Sequence, residues 1–556
     1  MKKVKAIMIA VLSLALIAGL CACGNKKADV GTKVANVMLG TNVMSLDTNL
    51  ATDGDSFEVI ADCIDGLTQM DAEGAAIPAL AKSWDVSDDG CTYTFYLNDA
   101  KWTNGDPVTA NDFVFAWQLA MTANVEYNYM FDSSVGAVKN ADAILYDGAD
   151  PSTLGVKAVD DKTLEVQLEV PVSFFPSLMY FPTFYPINQA FYEGLEDGMY
   201  GTSPETFLSC GAFKLAEYTP GTANLLVVKN PDYYDADKVK LDGINYQVVG
   251  SSDNALTAFK SGNLDLVTVS GDQVAAVKES GSIANNLKVT GAGYMWYLTF
   301  SQTMNNANGY LANKNLRLAF TNAIDREALV NNYVMDGSLA TYTAVPPQFA
   351  ASATTGEDFS GDQTMFKDVC SFDVTMAQNY LGKAKAELGT DTFAFTMIFG
   401  NNEGDEVTKV AQAIKEQVEA NLPGVSITLA PMTKAERLEK MQNDNYEIAL
   451  TRWGPDYADP MTYMGMWTTG NANNYGFWSN AAYDQIINDC TVGAFVADYD
   501  ARWAALYEGE KIVMDEAVIA PLYTKANANI ISGLLSGVEF HPVALNRVYK
   551  NATIEK

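Results

Sequence analysis

Two carboxylates stand in a short apolar segment, RWGPDYADPMTYM, Arg452 to Met464. Asp456 is framed by Trp453, Pro455 and Tyr457, and Asp459 precedes Pro460. The segment is too apolar for a solvated loop and too acidic for a plain core. A carboxylate in such a frame either caps a turn or waits for a cation that offsets its desolvation. On spacing alone both roles stay open. Paired-carboxylate hydrolysis is a third option, and a retaining glycosidase needs its two carboxyls about 5–5.5 Å apart. No nucleophile elbow, phosphate loop or metal-ligand spacing accompanies the pair. The one histidine, His541, excludes a His-based triad and a multi-His zinc site. A lone histidine near the chain end reads as structural.

The elements that must position Asp456 are legible upstream. TFAFTMIFG reads as a strand, and DEVTKVAQAIKEQVEANL as an amphipathic helix with Val407, Ala411, Ile414 and Val418 aligned. Pro423 and Gly424 stop that helix. VSITLAPM is a second strand, TKAERLEKMQND a helix capped by Thr433, and YEIALTRW a third strand. A β-α-β-α-β run predicts an α/β layer with parallel strands. Asp456 therefore leaves the C-terminal end of a parallel strand, where crevices of open α/β sheets lie. Earlier, CTYTFYLN alternates as a strand. VTANDFVFAWQLAM reads as a helix, with Thr109 as N-cap and Asp112 at the capping-box position. In NLRLAFTNAIDREALVNNYVMDG, Leu316, Phe320 and Ala323 share one helical face.

With 556 residues, the chain exceeds what one core usually organises, so two or more domains are expected. Apolar residues make up 48 % and charged residues 19 %, which argues against disorder. The net charge of −32 disfavours nucleic acid and anionic lipid head groups as partners. It is chiefly a solubility feature, with a mild bias towards cationic ligands.

MKKVKAIMIAVLSLALIAGLCACG combines a basic start with an apolar run, Ala6 to Leu20, and reads as an export signal. The run is shorter than the roughly 20 residues of a spanning helix. Leu20-Cys21-Ala22-Cys23 resembles the bacterial lipobox, in which Cys23 would take the diacylglycerol. Cys21 fits worse because bulky Leu20 precedes it. Ordinary secretion, with Cys23 incidental, is the alternative. The lipobox reading makes 1–22 a lipoprotein signal peptide and 23–33 a polar tether. Cys63, Cys91, Cys210, Cys370 and Cys490 are far apart, odd in number and without CxxC spacing, so metal binding is not expected; buried free thiols are the first reading and one or two disulfides the alternative.

Over Val34 to Tyr549 the chain resembles a family-5 extracellular solute-binding protein, the oligopeptide- and dipeptide-binding lipoproteins of bacterial ABC importers. SLDTNLATDGDSFEVIADCIDGL matches the family's opening, with Thr48 in place of a Pro and Asp65 in place of a Glu. PALAKSWDVSDDGCTYTFYLNDAKWTNGDPVTANDFVFAWQ is the strongest block; CGAFKLAEYTPGTANLLVVKNPDYYD and LRLAFTNAIDREALV are two more. WGPDYADP resembles the segment whose Asp takes the ligand's α-ammonium in peptide-binding members.

The resemblance implies a mixed α/β chain with the two-lobed periplasmic-binding-protein-like fold, type II, and an extra third domain. It places domain I at 34–69, 187–292 and 527–556, domain II at 70–186 and domain III at 293–526. The chain would cross between lobes near 293 and 526, and one continuous sheet is not expected. Carried over residue by residue, Asp456 is the ligand anchor, Trp453 and Tyr457 wall the pocket, and Gly454 permits close main-chain approach. Thr52, Asp53 and Gly54 align near the ligand's N-terminus, and Trp296 and Tyr297 with a strand facing the cleft. No motif marks a residue for the ligand's C-terminus. The implied protein is a monomer that delivers peptides to permease subunits outside the cytoplasm. It is held to the cell membrane by its N-terminal lipid alone. No catalytic residue, metal or cofactor is implied, and no nucleic-acid partner. Rival readings keep the family but change the ligand to a nickel chelate, an oligosaccharide or a signalling peptide. WGPDYADP favours peptides, since a sugar offers Asp456 no ammonium. A structural surface protein would be expected to show repeats, and none occurs.

Overall fold

In the computed structural model, residues 31–555 are described, except 72–74, 123–124, 304, 306, 353, 362–364 and 405. The signal segment and the lipidation candidate Cys23 lie outside the described residues. Among the described residues, no helix is long and apolar enough to cross a membrane.

The stretch that ends at Asp456 forms three strands, Phe393–Gly400, Val425–Met432 and Ile448–Trp453, all parallel. The helix Val407–Asn421 buries the expected stripe of Val407, Ala411, Ile414 and Val418. Thr433 opens the helix Lys434–Gln442: its N–H donates to the Glu436 carboxylate at 2.9 Å, and its hydroxyl accepts from the Glu436 N–H at 3.3 Å. That reciprocal cap satisfies two orphan donors of the first turn.

A second parallel group, Val34–Leu39 with Gly243–Val248 and Leu266–Val269, lies at the other side of the molecule. Two long antiparallel strands join the groups, Leu287–Phe300 and Ile519–Ile531. The first pairs with Ile448–Trp453 on its outer edge, and the second with Leu266–Val269 on its own. The result is one hydrogen-bonded sheet of eleven strands. Separate sheets for the two lobes were expected, and that expectation is corrected. The physical reason is that both crossing strands keep pairing as they pass between the groups. Their ladder is interrupted by a register shift between Gly291 and Met295. Gly293 sits in that shift with φ of +70°, where a Cβ would lie 2.1 Å from the Pro542 carbonyl oxygen, so only glycine fits.

A separate four-stranded antiparallel sheet, Ala81–Val86, Thr92–Leu97, Thr163–Gln167 and Val156–Asp160, carries the extra layer. Its helix Ala110–Ala120 starts as expected, with the Thr109 N–H donating to Asp112 at 2.8 Å. Asp112 also accepts from the buried Trp102 indole at 3.1 Å, which ties the WTNGD turn to the helix.

Candidate functional site

The strand Ile448–Trp453 ends at Gly454, and the chain turns sharply through Pro455, Asp456 and Tyr457. At Gly454 a Cβ would lie 2.3 Å from the Tyr294 ring, so glycine is needed for the ring to pack against the backbone. This turn forms one wall of a cleft of about 1580 Å³. Thr52, Asp53 and Gly54 also line it, together with Phe57, Glu126 and Tyr127. Of the predicted residues, the cleft therefore assembles Asp456, Trp453, Gly454, Thr52, Asp53 and Gly54.

Asp456 is half-buried and accepts a hydrogen bond from the Tyr129 hydroxyl. Its own N–H donates to Thr462 Oγ1 at 3.2 Å. Burial pushes its carboxyl up to about 6; the Tyr129 hydrogen bond opposes that shift and the charge of Glu126 adds to it. Among the described residues no lysine or arginine forms an ion pair with Asp456, whereas Asp459, three residues on, is fully engaged. Arg502 grips Asp459 with two charge-assisted hydrogen bonds of 2.9 and 2.8 Å, and the Met461 N–H donates to it at 2.9 Å. The two carboxylates of one segment have thus separated into an anchor for the turn and an acceptor facing open space.

Asp53 caps the helix Gly54–Cys63, accepting from the Ser56 N–H at 2.9 Å and its hydroxyl at 2.6 Å. Burial raises its carboxyl as well. Tyr457 lies outside this cleft. It lines an adjoining cavity and stacks on Phe174, with centroids 5.1 Å apart and planes within 7°. Trp296 and Tyr297 do not face the cleft. Both are about 1 % exposed, Trp296 stacked on Tyr523 and Tyr297 packed in the core. Tyr294, two residues earlier on the same strand, lines the cleft instead. The Arg452 guanidinium spans both rings, 4.4 Å from Tyr294 and 5.7 Å from Trp296, and covers the second.

The cleft also carries cations. Arg437 and Arg452 share the buried carboxylate of Glu403, at 2.8 and 3.2 Å. Lys434 lines the same cleft, and no carboxylate forms an ion pair with it among the described residues. Desolvation, Arg452 and Arg437 lower the pKa of its ammonium, while Glu403 and Glu126 partly offset them. Sequence reading passed over Lys434 because a lysine after an N-cap looks like a solvated first-turn residue. The available signal was its spacing from Arg437, which puts both cations on one face.

Residues 75–475 match the family of bacterial extracellular solute-binding proteins, family 5 Middle. The chain belongs to this family. A dipeptide-binding protein of Lactococcus lactis subsp. cremoris is 33 % identical, over 96 % of this chain and 96 % of its own. The solved structure of Listeria monocytogenes OppA bound to peptide superposes with a TM-score of 0.79 at 32 % identity, covering 95 % of this chain and 100 % of that one. The substrate-binding domain of an oligopeptide ABC transporter from Bacillus anthracis gives 0.80 at 32 % identity, with the same coverage. These likenesses extend well beyond the central region, to nearly the whole chain. Family membership also sets the two acidic residues in context: the fold is that of a solute-binding protein.

Proposed function

We propose that this chain is the peptide receptor of an ABC importer, taking peptides by their free amino terminus. Asp456 holds the α-ammonium in this reading. The observation that carries it is a carboxylate at the cleft with an aromatic frame and no cation paired to it among the described residues. A buried charge needs a partner, and an ammonium supplies charge and hydrogen bonds together. Lys434 stands in the same cleft as a receiver for the terminal carboxylate. Extended peptide backbone would lie between them, beside Gly454. The names of the related proteins support a peptide ligand. The reading makes the chain a non-catalytic monomer, lipid-anchored at Cys23 outside the cell membrane, with domains at 34–69, 187–292 and 527–556, at 70–186 and at 293–526. It delivers its cargo to permease subunits and uses no metal.

The test is calorimetry of wild type and Asp456→Asn with one peptide, free and N-acetylated. Losing one partner of a desolvated charge pair costs about 2–5 kcal/mol. That is roughly 30- to 4,000-fold in Kd at 1.4 kcal/mol per decade. The free peptide is expected to lose this much, and the acetylated one to bind weakly to both proteins. Equal affinities in all four pairings would reduce Asp456 to a turn cap.

A further inference from the structure

The segment from His541 to Arg547 borders two spaces. Pro542, Ala544 and Asn546 line the main cleft. His541, Leu545 and Arg547 line a separate cavity of about 680 Å³. His541, Leu545 and Arg547 are buried and the residues between them that face the cleft are part-exposed, so one segment divides the two spaces. The helix Gly54–Cys63 does the same along its length: Gly54 and Phe57 line the cleft, Ala61 and Asp62 the cavity. Three side chains that border the cavity hold buried polar atoms with no hydrogen-bond partner among the described residues. They are the Tyr180 hydroxyl, Arg547 Nη1 and His541 Nε2. Tyr180 is 2 % exposed, His541 3 % and Arg547 8 %. The Glu539 carboxylate stands 3.9 Å from His541 Nε2, beyond hydrogen-bond distance. Buried polar groups are ordinarily paired, so three on one cavity call for an occupant that pairs them.

We infer that this cavity binds a short aliphatic carboxylate, and that its occupancy alters affinity in the main cleft. Arg547 keeps its Nε on Glu58 at 2.9 Å, which leaves Nη1 as a charged donor. Together with the Tyr180 hydroxyl it can serve two carboxylate oxygens, and the guanidinium offsets the anion's desolvation. His541 adds a third donor once an anion beside it favours the imidazolium. Met70, Ala79 and Leu545 give an apolar tail its surface. The acidic groups of the wall are already engaged. Asp65 accepts from the Tyr233 and Tyr234 hydroxyls at 2.7 and 2.9 Å, with the Lys550 ammonium 3.7 Å away. Asp62 accepts from the Tyr246 hydroxyl, and burial pushes its carboxyl well up, which favours its neutral form. Glu539 accepts from Asn551 at 2.7 Å. An apolar occupant leaves all three free atoms unpaired, which is costly. Coupling follows from the shared walls, since fixing the segment from His541 to Arg547 also fixes Pro542, Ala544 and Asn546 in the cleft. The coupling rests on the proposed peptide receptor; the site itself does not.

Calorimetry on the intact protein with acetate, propionate, butyrate and hexanoate tests the site, with propionamide and chloride as controls. Affinity is expected to rise with tail length by about fourfold per buried methylene. Propionamide and chloride are expected to bind more weakly than propionate. Tyr180→Phe is expected to weaken every carboxylate about tenfold or more, the worth of a hydrogen bond to a charged group. Its ligand-free melting midpoint should stay level or rise, because it deletes a buried unpaired hydroxyl. His541→Gln gives a second reading of the same loss. Lys434 offers a carboxylate another seat in the main cleft, so Lys434→Met is expected to leave butyrate binding unchanged. Saturating butyrate is expected to shift the Kd of Ala-Ala-Ala severalfold, and the peptide to shift butyrate by the same factor. Ordered water as sole occupant predicts no response to any carboxylate, and that result overturns the site. Binding lost in Lys434→Met but kept in Tyr180→Phe overturns it too. Equal peptide affinity with and without butyrate overturns the coupling. If no peptide binds at all, the receptor reading fails, and the carboxylate series still decides the site.

Discussion

At the scale of single residues, the proposed site turns on the difference between Asp456 and Asp459. Asp459 is neutralised by Arg502, while Asp456 carries a pKa pushed up to about 6 by burial. That raised value has a signed consequence. Below pH 6 the empty site is mostly protonated, and pairing with an ammonium requires the ionised form. Binding at low pH therefore expels a proton, and affinity falls as pH falls. One-proton linkage predicts Kd to weaken about tenfold between pH 7 and pH 5. Calorimetry in buffers of different ionisation enthalpy checks it, because heat should track buffer choice at pH 5 and hardly at pH 7, where Asp456 is mostly ionised and the peptide amine mostly protonated. In Asp456→Asn the pH slope should vanish. Lys434→Met should weaken a free-acid peptide and leave its C-amidated form little changed, a comparison read from the two Kd ratios. Asp456 was legible because it stands in an acidic turn after a strand, framed by Trp453, Pro455 and Tyr457. Lys434 was not, since its meaning depends on Glu403 being consumed by Arg437 and Arg452, a relation across 30 to 50 positions.

At the scale of elements, local rules carried far. The parallel strands, the caps at Thr109 and Thr433 and the apolar stripe of Val407–Asn421 follow from period and capping chemistry alone. Trp296 and Tyr297 show where such reasoning stops. Alternation along a strand says which residues share a face, but not that Arg452 from the neighbouring strand lies across one of them. The ion pair of Asp459 is the element-level support of the binding turn, because it ties the turn to the helix Tyr499–Asp515. Asp459→Ala strands a buried arginine and should destabilise the protein by about 3–5 kcal/mol. Thermal melting followed by circular dichroism reads the loss as a lower midpoint. Asp459→Ala combined with Arg502→Met should recover most of it, since removing both charges leaves no unpaired one.

At the scale of the whole molecule, the family match covers residues 75–475, and the likeness to a solved structure extends over 95 % of the chain. Mass spectrometry of the mature N-terminus should find a fatty-acylated peptide beginning at Cys23. Cys21→Ala should leave that peptide intact, and an acylated peptide beginning at Cys21 would refute the assignment. The continuous sheet escaped sequence reading because VTGAGYMWYLTF looks like one ordinary strand. Nothing in its residue types says that its two ends serve different parts of the protein. Leu287–Phe300 and Ile519–Ile531 pair with each other on both sides of the Gly291–Met295 shift. That arrangement limits how such receptors can be recombined. A cut at the crossing leaves neither half with its own edge strand, so a ligand-binding half cannot be exchanged as a cassette. A chimera of two relatives should fold only when both crossing strands come from one parent, even if every junction lies in a loop.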